Sequence, residues 1–110
     1  MNREIDRLVI EKVLELSYKE SDEFGLWVIL EEGEDAVLFR PSENIKDAWI
    51  VLEKFDFADV KRVTGYGDDF YSVTLAVAMM DGAYNDIEVR ENTAPMAICK
   101  AALKSVGVEI

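Results

Sequence analysis

The run TGYGDDFYSVTLAVAMMDG, residues 64–82, decides how the rest of this chain is read. Two strand-like stretches, DVKRVTGY before it and DFYSVTLAVAMM within it, flank Gly67 and Asp68. A glycine-first two-residue loop is the signal of a type II′ hairpin, with Gly67 at positive φ and Asp69 opposite Tyr66. Asp81-Gly82 marks a second turn, so Val60 to Tyr66, Phe70 to Met80 and Ile87 to Val89 are expected to form a three-stranded meander. Along the middle strand Tyr71, Val73, Leu75, Val77 and Met79 share one face, and small Ala76 and Ala78 lie on the other. A strand apolar on both sides is expected at the centre of a sheet covered on both faces.

The same run contains YGDD, the tetrad of the metal-binding hairpin in RNA-dependent RNA polymerases, where paired carboxylates hold divalent ions. A chain of 110 residues is too small to wrap a template, a primer and a nucleotide. Its 12 Lys and Arg against 23 Asp and Glu, for a net charge of −11, would repel a polyanionic template. The turn reading is therefore preferred. The alternative is a carboxylate- or metal-dependent enzyme using the Asp68-Asp69 hairpin and further acids from neighbouring strands.

Working outward, apolar residues at Ile5, Leu8, Val9, Val13 and Leu16 predict a first helix from Asn2, its cap, to about Leu16. FGLWVILE and DAVLFR, on either side of EGE, read as a hairpin with Gly33 in its turn. After Pro41, Ile45, Ala48, Trp49, Leu52 and Phe55 line one face of a second helix capped by Ser42 or Asn44, which places Trp49 in the core. NTAPMAICKAALKSVG reads as a third helix, with Thr93 as cap, Pro95 in the first turn, Lys100 and Lys104 toward its C-terminal end and Gly107 at its stop. Its stripe is Cys99, Ala102, Leu103 and Val106.

Composition narrows the chemistry. Half the residues are hydrophobic and 32% are charged, which describes one folded domain spanning 1–110 and not a disordered acidic tail. No stretch has the ~20 apolar residues of a membrane span, and MNREIDRLVI does not read as a signal peptide, so the expected location is the cytoplasm. With no His and a single Cys99, triads, Cys-His nucleophiles, the usual zinc sites and an internal disulfide are excluded. Cys99 reads as a small buried hydrophobe. No catalytic residue, metal ligand or cofactor is assigned.

REIDRLVIEKVLEL, PSENIKDAWIVLEKF and TAPMAICKAALKSV, in that order, together resemble the phage ABA sandwich domain, a family of small phage and prophage proteins of Gram-positive bacteria. The resemblance implies a layered α/β/α arrangement in a protein of a bacterial host cell; the family supplies no activity, cofactor or catalytic residue. The entry to the middle helix departs from a Tyr-Ser-Thr-Asp-like family pattern, with chemically similar RPSENIKDAW in its place. Combined with the periodicity, the expected fold is α+β: a three-layer α/β/α sandwich around a mostly antiparallel sheet of about five strands, in the order α-β-β-α-β-β-β-α.

Function is expected at the surface. Glu20, Asp22, Glu23, Glu31, Glu32, Glu34 and Asp35 fall in one segment without Lys or Arg, and should project a concentrated negative field. They are read either as a solvated hairpin or as a docking face for a basic host or phage protein, in the manner of a nucleic-acid mimic or host-factor modulator. The candidate contact residues are Glu31, Glu32, Glu34 and Asp35 with Trp27, which alternation sets on the strand face away from Leu26 and Val28. ESDEF and EEGED lack the alternating donors of an EF-hand loop. Direct nucleic-acid binding and membrane insertion are not expected; a homo-oligomer stays open.

Overall fold

The computed structural model describes residues 3–65, 67, 69–78 and 80–109. The chain forms α1 (Arg3–Leu8), a π-helical continuation (Val9–Val13), β1 (Tyr18–Ser21), β2 (Gly25–Val28), β3 (Val37–Leu38), α2 (Ile45–Leu52), β4 (Phe57–Val63), β5 (Phe70–Ala78), β6 (Tyr84–Glu91) and α3 (Ala94–Ser105). Among the described residues six strands make two antiparallel three-stranded sheets, ordered β1-β2-β3 and β4-β5-β6.

The meander forms with β5 central and Gly67 at φ +100°, but the expected two-residue turn is corrected: β4 ends at Val63, paired with Phe70, so residues 64–69 separate the paired ends and the register is not the one that sets Asp69 opposite Tyr66. Asn2, Tyr66, Asp68 and Met79, to which the sequence assigns a cap, a pairing position, a turn and a strand position, lie outside the described residues. The expectation of about five strands in one sheet is corrected. The first hairpin gains β1 as a third strand and stays apart from the meander, giving the order α-β-β-β-α-β-β-β-α. Tyr18-Lys19-Glu20-Ser21 shows no apolar alternation; it becomes a strand through its hairpin ladder to Gly25–Val28, closed by Ser21 opposite Gly25, a pairing that periodicity does not register.

α3 is the hub of the molecule. It packs on β5 and β6 and also meets α1, the π segment and α2, while α1 packs on β2. A helical layer thus joins the two sheets in a sandwich-like α+β arrangement. Ala97, Ile98, Cys99, Ala101, Ala102 and Leu103 are all buried, so α3 is covered on nearly every side through its middle turns. Its ends follow the punctuation in the sequence. Thr93 Oγ1 accepts from the Met96 amide at 3.4 Å. At the other end Gly107, at φ +84°, donates to the Lys104 carbonyl and Val108 to that of Leu103, a Schellman closure.

Two features of the helices differ from expectation. Trp49 is 51% exposed and Ile45 equally so, whereas Ala48, Val51 and Leu52 are buried. Residues 48–52 are apolar without a break, which leaves the facing of α2 undetermined by period alone. α2 packs on α3 with the small Ala48 buried and the large indole left outward. The first helix changes form after Leu8: the Leu14 amide bonds the Val9 carbonyl at 3.0 Å, an i→i+5 closure, and the helix stops at Glu15, φ +55°. The wider turn brings Ile10 and Leu14 into the core and leaves Leu8 and Val13 half-buried.

β5 is covered on one face only, again unlike the expectation. Val73 and Leu75 are fully buried toward α3. On the opposite face Ser72, Thr74 and Ala76 are flanked by exposed Phe57, Asp59 and Lys61 on β4 and by exposed Tyr84, Asp86, Glu88 and Arg90 on β6. Small and hydroxyl side chains on a strand tolerate such an open face.

Candidate functional site

The acidic segment resolves into two parts. Glu20, on β1, accepts from Arg7 at 3.0 Å and Arg3 at 3.3 Å, so the first helix draws it out of the negative field. Residues 29–36, between β2 and β3, form an exposed loop in which the Glu34 amide bonds the Glu31 carbonyl at 3.1 Å and Gly33 takes φ +88°. Glu31, Glu32, Glu34 and Asp35 are all exposed, and none of them has a cation partner among the described residues. Four unpaired carboxylates within five positions hold a potential that water and salt screen only partly at short range.

Next to this loop the fold opens a groove of about 380 Å³. Leu14, Leu16, Leu30 and Ile50 supply apolar walls, and Glu31, Glu34 and Glu53 set carboxylates among them, with Lys54 as the lone base. The π segment delivers Leu14 and Leu16 to this place, because the Leu16 amide closes back on the Ile10 carbonyl at 2.9 Å. Sequence reasoning found Glu31 and Glu34 but missed Glu53 and the leucines. Their signal, apolar residues at a helix end whose stripe is already satisfied, is weak. Trp27 is half-buried on β2, across from Lys19 and Leu38, and is not part of the groove.

A second polar cluster knots α1 to the start of α2. Asp6 is 3% exposed, and its Oδ1 accepts from the Ser42 amide at 2.8 Å. Asp47 Oδ2 accepts from the Arg40 amide at 2.9 Å, and Asn44, the cap of α2, accepts from Lys46 and Asp47. Burial pushes the Asp6 carboxyl above its usual range, against the pull of the hydrogen bond from Ser42. Sequence periodicity carried a cue to this carboxylate: Asp6 stands three and four residues before Val9 and Ile10, on the same buried face. Cys99 is fully buried and its thiol is pushed far up by desolvation, in line with a core residue.

Asp69 is exposed beside Gly67. Among the described residues no three His, Cys, Asp or Glu side chains gather where a metal ion could be held, and Asp68 is not one of those residues. No described helix is long and apolar enough to cross a membrane.

Compared with known proteins, the chain matches the model of the phage ABA sandwich domain over residues 7–103. No curated protein matches it.

Proposed function

This chain belongs to the phage ABA sandwich domain family, and within that family we propose that it acts as an accessory protein of a phage or prophage by binding a basic protein partner at the acidic loop and its groove. The observation that carries this reading is the conjunction of four exposed, unpaired carboxylates, Glu31, Glu32, Glu34 and Asp35, with a groove walled by Leu14, Leu16, Leu30 and Ile50. Apolar walls supply affinity through burial, and the surrounding charge steers a cationic segment and fixes its orientation. A basic segment with a few apolar side chains has the matching chemistry.

The test is a quadruple variant, Glu31→Gln, Glu32→Gln, Glu34→Gln and Asp35→Asn, which removes four charges while keeping side-chain size. Immobilised wild type should retain a host or phage protein from a bacterial lysate, and rising salt should release it. With each charge contributing about 0.3–1 kcal/mol, the variant should bind that protein at least about tenfold more weakly while keeping its circular dichroism and melting temperature. Equal affinity for both forms at low salt would place the docking surface elsewhere.

A further inference from the structure

Strand β4 runs Phe57-Ala58-Asp59-Val60-Lys61-Arg62-Val63 along a free edge of the larger sheet. Its register with β5 is continuous over all seven residues, so no bulge bends it, and it contains no proline. Edges of this length are ordinarily shortened, bulged, covered or interrupted, because unpaired amides and carbonyls recruit another strand. This one keeps its full length without bulge or proline, five of its seven residues are exposed, and the charges that guard it, Asp59, Lys61 and Arg62, include both signs.

We infer that the β4 edge is a self-association surface, pairing antiparallel with the β4 edge of a second copy of this chain about a two-fold axis through Val60. The sequence of the strand selects that register. With Val60 opposite its own counterpart, Asp59 falls opposite Lys61 of the second copy and Lys61 opposite its Asp59, on the open face of the sheet. Phe57 falls opposite Val63 on the same face, and Ala58 opposite Arg62 on the helix-covered face. Cross-strand neighbours of opposite charge attract and like charges repel. Centring the axis on Asp59 or on Lys61 instead sets that residue against itself. The other free edge, β6, places carboxylate against carboxylate when centred on Asp86, Ile87 or Glu88; centred on Val89 it sets Glu88 opposite Arg90, but it then puts apolar Ile87 opposite Glu91, where β4 puts Phe57 opposite Val63.

A second complementarity lies on the helix-covered face. Beside β4, Trp49, Leu52 and Phe55 from α2 and its C-terminal end form a groove of about 330 Å³ that also includes Glu53, Asp56, Ala58 and Val60. Arg62 is exposed and has no ion pair within its own chain among the described residues. In the two-fold register the Arg62 of one copy is brought opposite Ala58 of the other, at this groove, where an indole face and two carboxylates suit a guanidinium. The pairing thus covers Trp49 and Phe57, two of the large apolar side chains that the single chain leaves exposed. The paired strand is remote in sequence from the acidic loop, although Glu53 lines both this groove and the one beside that loop.

Sedimentation velocity decides the matter. The wild type should run at twice its 12.5 kDa chain mass. Asp59→Lys and Lys61→Asp, each alone, set like charges across the axis and should weaken association about tenfold or more. An equimolar mixture of the two variants restores every opposite pair and should recover a dimer, as should the double swap D59K/K61D in one chain. Val60→Cys should form a disulfide-linked dimer under mild oxidation, since directly opposed residues sit at about the Cα separation that a disulfide spans; buried Cys99 does not compete. A wild type that stays monomeric at every concentration would overturn the inference. So would single reversals that dimerise unchanged, a mixture that stays monomeric, or a folded Val60→Cys protein that does not cross-link.

Discussion

Helices α2 and α3 carry the same kind of sequence signal, an apolar stripe opened by a cap, yet they occupy different positions. α3 is enclosed through its middle turns, with alanines, Cys99 and Leu103 fully buried. α2 is a two-turn helix that buries Ala48, Val51 and Leu52 and turns Ile45 and Trp49 outward. Large residues on a helix do not by themselves choose the buried face. The packing partner chooses: α2 lies on α3, and there Ala48, Val51 and Leu52 are covered while the indole is left outside.

Leu103→Ala should have the largest effect on that contrast. Removing a fully buried leucine from the hub helix should cost about 2–5 kcal/mol, read as a lowered urea midpoint at unchanged slope. A cost below about 1 kcal/mol would mean that the core closes around α3 less tightly than its burial indicates.

Asp6 links α1 to the approach to α2 and should come next. Asp6→Ala strands the buried Ser42 amide and should cost about 1–3 kcal/mol. Asp6→Asn keeps an oxygen acceptor and removes the buried charge, so at neutral pH it should be neutral or stabilising. The sign of the pH dependence follows from a folded-state pKa raised above the ordinary 3.8. The native state then holds the proton more tightly than the unfolded chain, so this stabilisation is fully present below 3.8 and is lost as pH rises through the raised value. The advantage of Asp6→Asn over wild type should therefore shrink on acidification. An advantage that grows instead would show that the carboxylate is stabilised as an anion.

Thr93→Ala removes the cap of α3 and should cost about 1 kcal/mol in thermal denaturation. Trp49→Ala should cost least, below about 1 kcal/mol in dilute protein, because half of the indole is already in water. If it destabilised as much as Leu103→Ala, the outward facing of α2 would be wrong and the comparison would collapse.

Much of this protein was determined within short windows of sequence. Thr93, Pro95 and Gly107 bound α3, Asn44 opens α2, Gly67 and Asp81-Gly82 bracket β5, and the exposed acids of residues 31–35 follow from a glycine-centred polar loop. These are near-neighbour effects: a capping oxygen, a positive φ or a repeating stripe acts whatever lies farther along the chain. The three segments that resemble the phage ABA sandwich domain are of the same kind, and residues 7–103 match that family. Only the tertiary structure decided that β1 exists, that the strands divide into two sheets, that Glu20 is neutralised by Arg3 and Arg7, and that Leu14, Leu16, Leu30 and Ile50 meet beside Glu31 and Glu34. It also turned Trp49 outward and Asp6 inward. Apart from β1, which pairs with its near neighbour β2, each of these depends on the shape or charge of a surface distant in sequence, and a period of 3.6 or 2 records how residues share a face without saying what that face will meet.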